Sequence, residues 1–551
     1  MQVNIARRLR EAAAKTPDKP AVILCKGPGE NNEFSTDSYT FAQLERDSDA
    51  AARGLIEAGI GRGCKTLVML RSSLPFFSCF FALFKVGAVP VFIDPGMGGR
   101  RLLECVRVLA PEAMVGVPLA HAVRKLFPRS FPGFRVAVTQ GRRWFWGGRR
   151  WESFRRFGGE PFPIADTAAD EMAAILFTTG STGPAKGVEY SHAALDRQVE
   201  ILSEAFGIAA SDRDVATFPG FSLFSIALGM TAVVPDMNPV RPGQVFPPNV
   251  LTPAQNEDCT FSFGSPALWN RVSEYAVKHN IKLPKLTRVV MAGAPVPAEV
   301  HRRLLEHVLP EGADTFTPYG ATEVMPVASI GGREVLAETA ALTAQGRGVC
   351  VGRPAAGVRV EIIRIDDAPI PEWSDGLMLP QGEIGEIAVQ SDHGSRHYHN
   401  LPQADALAKI IEGGDFWHRM GDVGYRDDKG RIWFCGRKAH RVRAASGDMF
   451  TVCCEAIYNQ HPDVLRSALV GVPDGAGHET PVMIVELRKD MDSPEPEALR
   501  VQLEQLAAAS PLTSGIRHIL FHPAFPTDIR HNAKIRREDL AIWASKEIMN
   551  N

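Results

Sequence analysis

Two hydrophobic periods alternate along the chain. Residues 5–15 place Ile5, Leu9 and Ala13 on one face at helical spacing, which predicts an amphipathic helix. Thr40 stands directly ahead of Phe41, Ala42, Gln43 and Leu44 and is a helix cap by residue type. Short apolar runs of strand length follow at 66–70, 89–93 and 135–139, separated by helical stretches. That alternation predicts a largely parallel sheet covered by helices. The run 74–84 is apolar, but it is about half a membrane span long and Lys85 interrupts it. It reads as a buried helix leading into a strand at 89–93 that stops at Asp94-Pro95-Gly96. Later, 383–389 and 431–434 read as strands of an antiparallel layer, with Gly430 as the turn before the second.

A chain of 551 residues exceeds one hydrophobic core and predicts two or three folding units. The texture changes at 436–439. The expected architecture is α/β, with a large N-terminal domain over 1–436, its sheets covered by helices, and a small mobile α+β domain over 437–551. A formal net charge of -2 gives no general ground for nucleic-acid binding. Cys25, Cys64, Cys79, Cys105, Cys259, Cys350, Cys435, Cys453 and Cys454 are odd in number and contain no CxxC pair. A disulfide framework or zinc site is not indicated, and a reducing cytoplasm fits better. Cys453 and Cys454 read as strand or loop residues rather than ligands. The first residues lack the apolar core and small-residue cleavage site of a signal peptide.

Residues 141–157, GRRWFWGGRRWESFRRF, hold six arginines and six aromatics around Gly147-Gly148. One reading is an exposed loop and helix whose arginines stack on the aromatics. The other is a docking surface for a partner protein or for peripheral contact with an anionic membrane face.

The most informative stretch is an apolar strand, Ile175-Leu176-Phe177, that runs into Thr178, Thr179, Gly180, Ser181, Thr182, Gly183, Pro184, Ala185 and Lys186. Glycines let several backbone N–H groups turn toward one anion, hydroxyls add donors, and Lys186 adds charge. Such a loop suits a polyphosphate. It is not a Walker A loop, because Lys186 follows Ala185 and precedes Gly187.

The loop resembles the signature of the adenylate-forming superfamily, which includes acyl-CoA synthetases, luciferases and the adenylation domains of peptide synthetases. Five further segments resemble its motifs, in the same order: Gly293-Ala294-Pro295, Thr317-Pro318-Tyr319-Gly320-Ala321-Thr322-Glu323, Gly421-Asp422-Val423-Gly424-Tyr425, Gly436-Arg437-Lys438, and Asn532-Ala533-Lys534-Ile535-Arg536. The resemblance implies ATP and Mg²⁺ as cofactors and assigns roles residue by residue. Gly293, Ala294 and Pro295 line the adenine, and Tyr319 and Gly320 follow, with the tyrosine ring as a stacking face. Thr322 donates to the α-phosphate and Glu323 ligates the metal. Asp422 accepts from the ribose hydroxyls, and Arg437 contacts ribose or phosphate. Lys534 spans the carboxylate, the α-phosphate and the bridging oxygen as pyrophosphate leaves. His192, behind the helix cap Ser191, reads as structural rather than as a general base.

Finer likeness narrows the family. Phe263-Gly264-Ser265-Pro266-Ala267-Leu268, His418-Arg419-Met420-Gly421-Asp422, Trp433-Phe434-Cys435-Gly436-Arg437-Lys438 and His522-Pro523-Ala524-Phe525-Pro526 look like the olefin β-lactone synthetases of bacterial long-chain olefin biosynthesis. That resemblance implies adenylation of a 2-alkyl-3-hydroxy long-chain fatty acid, whose own hydroxyl then closes a β-lactone and expels AMP. It also implies other enzymes of the pathway as partners. The alternative is a long-chain acyl-CoA or acyl-carrier-protein ligase. Against it, residues 218–224 lack the histidine many such ligases carry, Ala439 stands where their hinge has Asp or Lys, and the small-domain glycine is shifted to Ser446-Gly447-Asp448. The apolar stretch 218–230 suits either an acyl pocket or plain core packing.

Overall fold

The computed structural model describes residues 3–28, 34–178, 185–488, 496–527 and 535–550. The helix expected near the N-terminus is Ala6–Lys15, with Ala6, Leu9 and Ala12 buried. Thr40 caps Phe41–Ala58 through a reciprocal capping box with Gln43, which satisfies two backbone donors left over at the helix start. The apolar run near 80 is the buried helix Leu74–Lys85. Lys85 is fully buried at its end, with Nζ 2.6 Å from Asp49 Oδ1 and 2.8 Å from Ser48 Oγ. A buried ammonium needs such partners. No helix of the described residues is long and apolar enough to cross a membrane.

The predicted parallel layer is a seven-stranded sheet. Strands Val136–Thr139, Ala113–Gly116, Lys65–Met69, Val89–Ile93 and Met172–Thr178 run side by side and parallel, in that order. Lys186–Ser191 closes one edge antiparallel, and Arg149–Arg150 lies on the other. A second, larger sheet carries parallel strands, including Phe261–Gly264, Arg288–Met291 and Asp314–Ala321. It continues antiparallel through Val324–Gly331, Val349–Pro354, Ile432–Arg437, Asp415–Arg426 and Gly385–Gln390. Helices between the sheets join them: one core cluster unites Phe77, Phe81, Leu195 and Val199 with Ala173 and Val188 of one sheet and Val22, Ala232 and Val234 of the other.

A smaller C-terminal domain has its own sheets. Val442–Ala444 pairs with Gly447–Met449, and Val464–Pro473, Glu479–Leu487 and His518–Phe521 form a three-stranded sheet. The cysteines are all buried and free. Cys453 and Cys454 correct the sequence reading: they lie on the helix Thr451–Tyr458, not in a strand or loop. Cys453 packs with the large domain's Cys435 and Cys350, while Cys454 packs with Leu469 and Met483 of the small sheet. A short helix buried on two sides lacks a polar face, so its apolar run reads as a strand.

Candidate active site

A tight hairpin carries the first cluster. Asp314–Ala321 and Val324–Gly331 pair antiparallel with Ala321 opposite Val324, so Thr322 and Glu323 are the two turn residues. A Cβ at Gly320 would sit 2.7 Å from the Val324 carbonyl oxygen, so the hairpin closes only with glycine there. The turn is held from outside. Tyr190 donates its hydroxyl to the Thr322 carbonyl, the Ser395 N–H donates to the Glu323 carbonyl at 2.7 Å, and the Tyr398 hydroxyl donates to Glu323 Oε1 at 2.6 Å. The Lys186 ammonium sits 4.7 Å from the Tyr398 ring centroid.

The second cluster comes from register. Asp422 lies directly opposite Arg437 in the antiparallel pair of Asp415–Arg426 and Ile432–Arg437. Arg437 Nη1 is 3.0 Å from Asp422 Oδ1, and the Tyr319 hydroxyl donates to Oδ2 at 2.7 Å. Beyond that ion pair, no N–H or O–H of the described residues is aligned to hydrogen-bond Oδ1, although it is buried. Burial raises the Asp422 pKa, opposed by the Arg437 charge and the Tyr319 hydrogen bond. The Asp422 charge raises the Arg437 pKa in turn. Burial also raises that of the Tyr319 phenol, far above its ordinary value.

The structure thus brings Lys186, Tyr319, Thr322, Glu323, Asp422 and Arg437 to one region, linked by Tyr398 and by the hairpin. Gly293, Ala294 and Pro295 follow the strand Arg288–Met291, which neighbours Asp314–Ala321 in parallel, so both segments leave the same end of the sheet. Gly293 has φ +96°, a left-handed backbone that favours glycine. Thr178 ends the strand Met172–Thr178, with its backbone opposite Lys186. Thr179, Gly180, Ser181, Thr182, Gly183 and Lys534 lie outside the described residues. His192 is fully buried at the start of its helix, its pKa lowered to about 4 by burial.

Two residues of the cluster belong to none of the sequence motifs. Tyr398 arrives because residues 397–399 run against Lys186–Ser191: the His399 N–H donates to the Gly187 carbonyl at 2.7 Å and the Glu189 N–H to that of His397 at 3.1 Å. Lys409 is buried between the rings of Tyr398 and Phe416, 5.7 and 4.8 Å from their centroids, with Nζ 3.2 Å from His418 Nδ1. Burial lowers its pKa to about 7, against the raising influence of Glu323 and Asp405.

Residues 9–399 match the AMP-binding enzyme family. The chain belongs to that family and is an adenylate-forming ligase. It is 48% identical over 555 residues to the olefin β-lactone synthetase of Stenotrophomonas maltophilia, covering 99% of this chain and 98% of that protein. To the olefin β-lactone synthetase of Xanthomonas campestris pv. campestris it is 45% identical over 551 residues, with coverage of 99% and 98%. In fold it resembles the crystal structure of ATP-bound MatB from Rhodopseudomonas palustris, with a TM-score of 0.78 at 19% identity, covering 99% of this chain and 100% of that one.

Proposed function

We propose that this enzyme adenylates a 2-alkyl-3-hydroxy long-chain fatty acid and then closes it to a β-lactone. The observation that carries the reading is the 48% identity, over 99% of the chain, to a relative named olefin β-lactone synthetase. In the first step a carboxylate oxygen attacks the α-phosphorus of ATP and pyrophosphate leaves. In the second the 3-hydroxyl oxygen attacks the acyl carbon, the bond to AMP breaks, and the hydroxyl proton is lost to solvent or a base. The internal nucleophile needs no second substrate, only a chain fold that holds it about 3–3.5 Å from the acyl carbon.

Asp422 Oδ1 is buried, faces the Arg437 charge and has no aligned hydrogen-bond donor among the described residues, which suits a ribose hydroxyl. Tyr319 and Arg437 hold that carboxylate in place. Gly293, Ala294, Pro295, Tyr319 and Gly320 border the adenine in this reading. The loop from Thr178 to Lys186 takes the phosphates, and Thr322, in the hairpin turn, donates to the α-phosphate.

Glu323 and the nucleotide phosphates together suit Mg²⁺, which keeps several waters and needs only one or two protein carboxylates. When bound, the ion neutralises phosphate charge. Tyr398 orients Glu323 toward it, and Lys186 adds a second positive charge beside the phosphate loop. Lys534 completes the charge around the departing pyrophosphate in the same reading. The domains divide at 436/437, so that 437–551 is a lid carrying Lys534 to the large domain. Support for that division comes from the end of the strand Ile432–Arg437, after which the strands belong to other sheets. Nine free buried cysteines suit a reducing cytoplasm. The adenylation half is tested by ATP–pyrophosphate exchange: a 2-alkyl-3-hydroxy acid should drive exchange without CoA, and exchange that requires CoA would contradict it.

A further inference from the structure

The proposed reaction assigns no role to residues 141–157, which divide into an anchoring and a presented set. Trp146 is buried, stacks on His121 at 5.6 Å and donates Nε1–H to Thr139 Oγ1 at 3.0 Å. Trp151 and Phe154 are buried against the helix Phe41–Ala58. Gly148, at φ +79°, passes so close to Ala137 that a Cβ would lie 2.1 Å from its carbonyl oxygen. These contacts fix a turn that presents Trp144 at 51% exposure and Phe145 at 82%, beside Leu119 at 69%. Trp144 and Leu119 line one surface hollow with Arg71, Val117 and Pro118.

The surroundings are basic. The segment carries six arginines against one acid, Glu152, a formal charge of +5 in a chain of net -2. Arg149 and Arg156 reach Glu57, and Arg150 reaches Glu152. Arg143 donates to the Gly148 carbonyl at 2.5 Å. Arg142 and Arg143 have no carboxylate partner among the described residues, and Arg71, which lines the hollow with Trp144 and Leu119, is exposed. Exposed Trp and Phe rings flanked by guanidinium groups match the chemistry of a bilayer interface with anionic headgroups. Phe145 is mostly exposed and Trp144 half so, and a soft surface receives such rings without a shaped counterpart.

Topology relates this face to the reaction. The turn follows Val136–Thr139 and Leu119 follows Ala113–Gly116, both parallel members of the sheet whose strand Met172–Thr178 leads into the phosphate loop. All three strands finish at the same end of the sheet, the first two lying four and three strand positions from Met172–Thr178, or about 14–19 Å at the usual strand spacing. We propose that this end is a docking face for anionic lipid, with Trp144 and Phe145 entering the headgroup region and Arg142 and Arg143 pairing with lipid phosphates. Docking of this kind holds whichever acid the enzyme activates.

The test is co-sedimentation of the full chain with vesicles of phosphatidylcholine alone and of phosphatidylcholine with phosphatidylglycerol, at low and high salt. The parent should bind the anionic vesicles at low salt and lose most binding at high salt. The double variant Trp144→Ser/Phe145→Ser should bind about tenfold less, Arg142→Ser should weaken binding with a shallower salt dependence, and Trp144→Phe should retain it. ATP–pyrophosphate exchange with a short soluble acid should be unchanged in all three, which shows that they fold. A parent that ignores anionic vesicles, or a double variant that binds like the parent, overturns the proposal. Self-association lost in the double variant, with no vesicle binding by the parent, assigns the face to a protein partner and also overturns it.

Discussion

The Tyr398 hydroxyl lies 2.6 Å from Glu323 Oε1, although the two residues are 75 positions apart in sequence. The bond fixes the carboxylate of a residue that stands in a two-residue hairpin turn. Tyr398→Phe keeps the ring beside Lys186 and removes only this bond. A hydrogen bond to a charged group contributes about 1.5–3 kcal/mol, so pyrophosphate release should slow about 10–100-fold and require more Mg²⁺. Unchanged Mg²⁺ dependence, measured beside Glu323→Gln, would make the contact structural only.

Asp422→Ala should raise the KM for ATP. The loss of one charge-assisted bond to a ribose hydroxyl corresponds to about 10–100-fold in kcat/KM. Comparison with 2′-deoxy- and 3′-deoxy-ATP gives the sharper readout. The parent should discriminate against at least one of them and the variant should not. Equal discrimination in both would remove the ribose role.

Lys409 makes stability depend on pH. Its folded pKa is lowered to about 7 from 10.5. Between those values the unfolded chain binds the proton and the folded chain does not, so folded stability rises with pH across that window, by up to about 1.4 kcal/mol per pH unit. Lys409→Met abolishes that dependence. Urea unfolding at pH 7.5 and 9.5 should show the parent gaining about 2–3 kcal/mol relative to the variant. Parallel behaviour of the two would mean that Lys409 is charged in the fold.

Lys534→Ala should slow adenylation about 10²–10³-fold, the scale of one lost transition-state charge, with the unfolding midpoint nearly unchanged. A pyrophosphate-release rate within a few-fold of the parent would contradict its role.

Local signals carry much of the fold. The cap at Thr40, the buried helix Leu74–Lys85 and the parallel strands are legible because period, cap chemistry and length agree there. The motif residues Tyr319, Glu323, Asp422 and Arg437 are legible from order along the chain. Tyr398 is not, because its segment pairs with one some 210 positions away and no local period records a long-range pairing. Lys409 does have a local signal: Gly413-Gly414 between Ile410-Ile411 and Phe416-Trp417 is a hairpin turn, and its register sets Lys409 opposite His418. The aromatic and arginine segment divides in a way composition does not reveal, since Trp146 and Trp151 are anchors and Trp144 is presented.

The proposed chemistry turns on the acyl group's own hydroxyl as nucleophile. The direct measurement is product identification after incubation with ATP, Mg²⁺ and a 2-alkyl-3-hydroxy long-chain acid, with and without CoA, beside the same acid lacking the hydroxyl. An internal nucleophile predicts a β-lactone and AMP in equal amounts from the hydroxy acid, independent of CoA, and no lactone from the acid without the hydroxyl. A thioester formed only with CoA, from either acid and with no lactone, would contradict it.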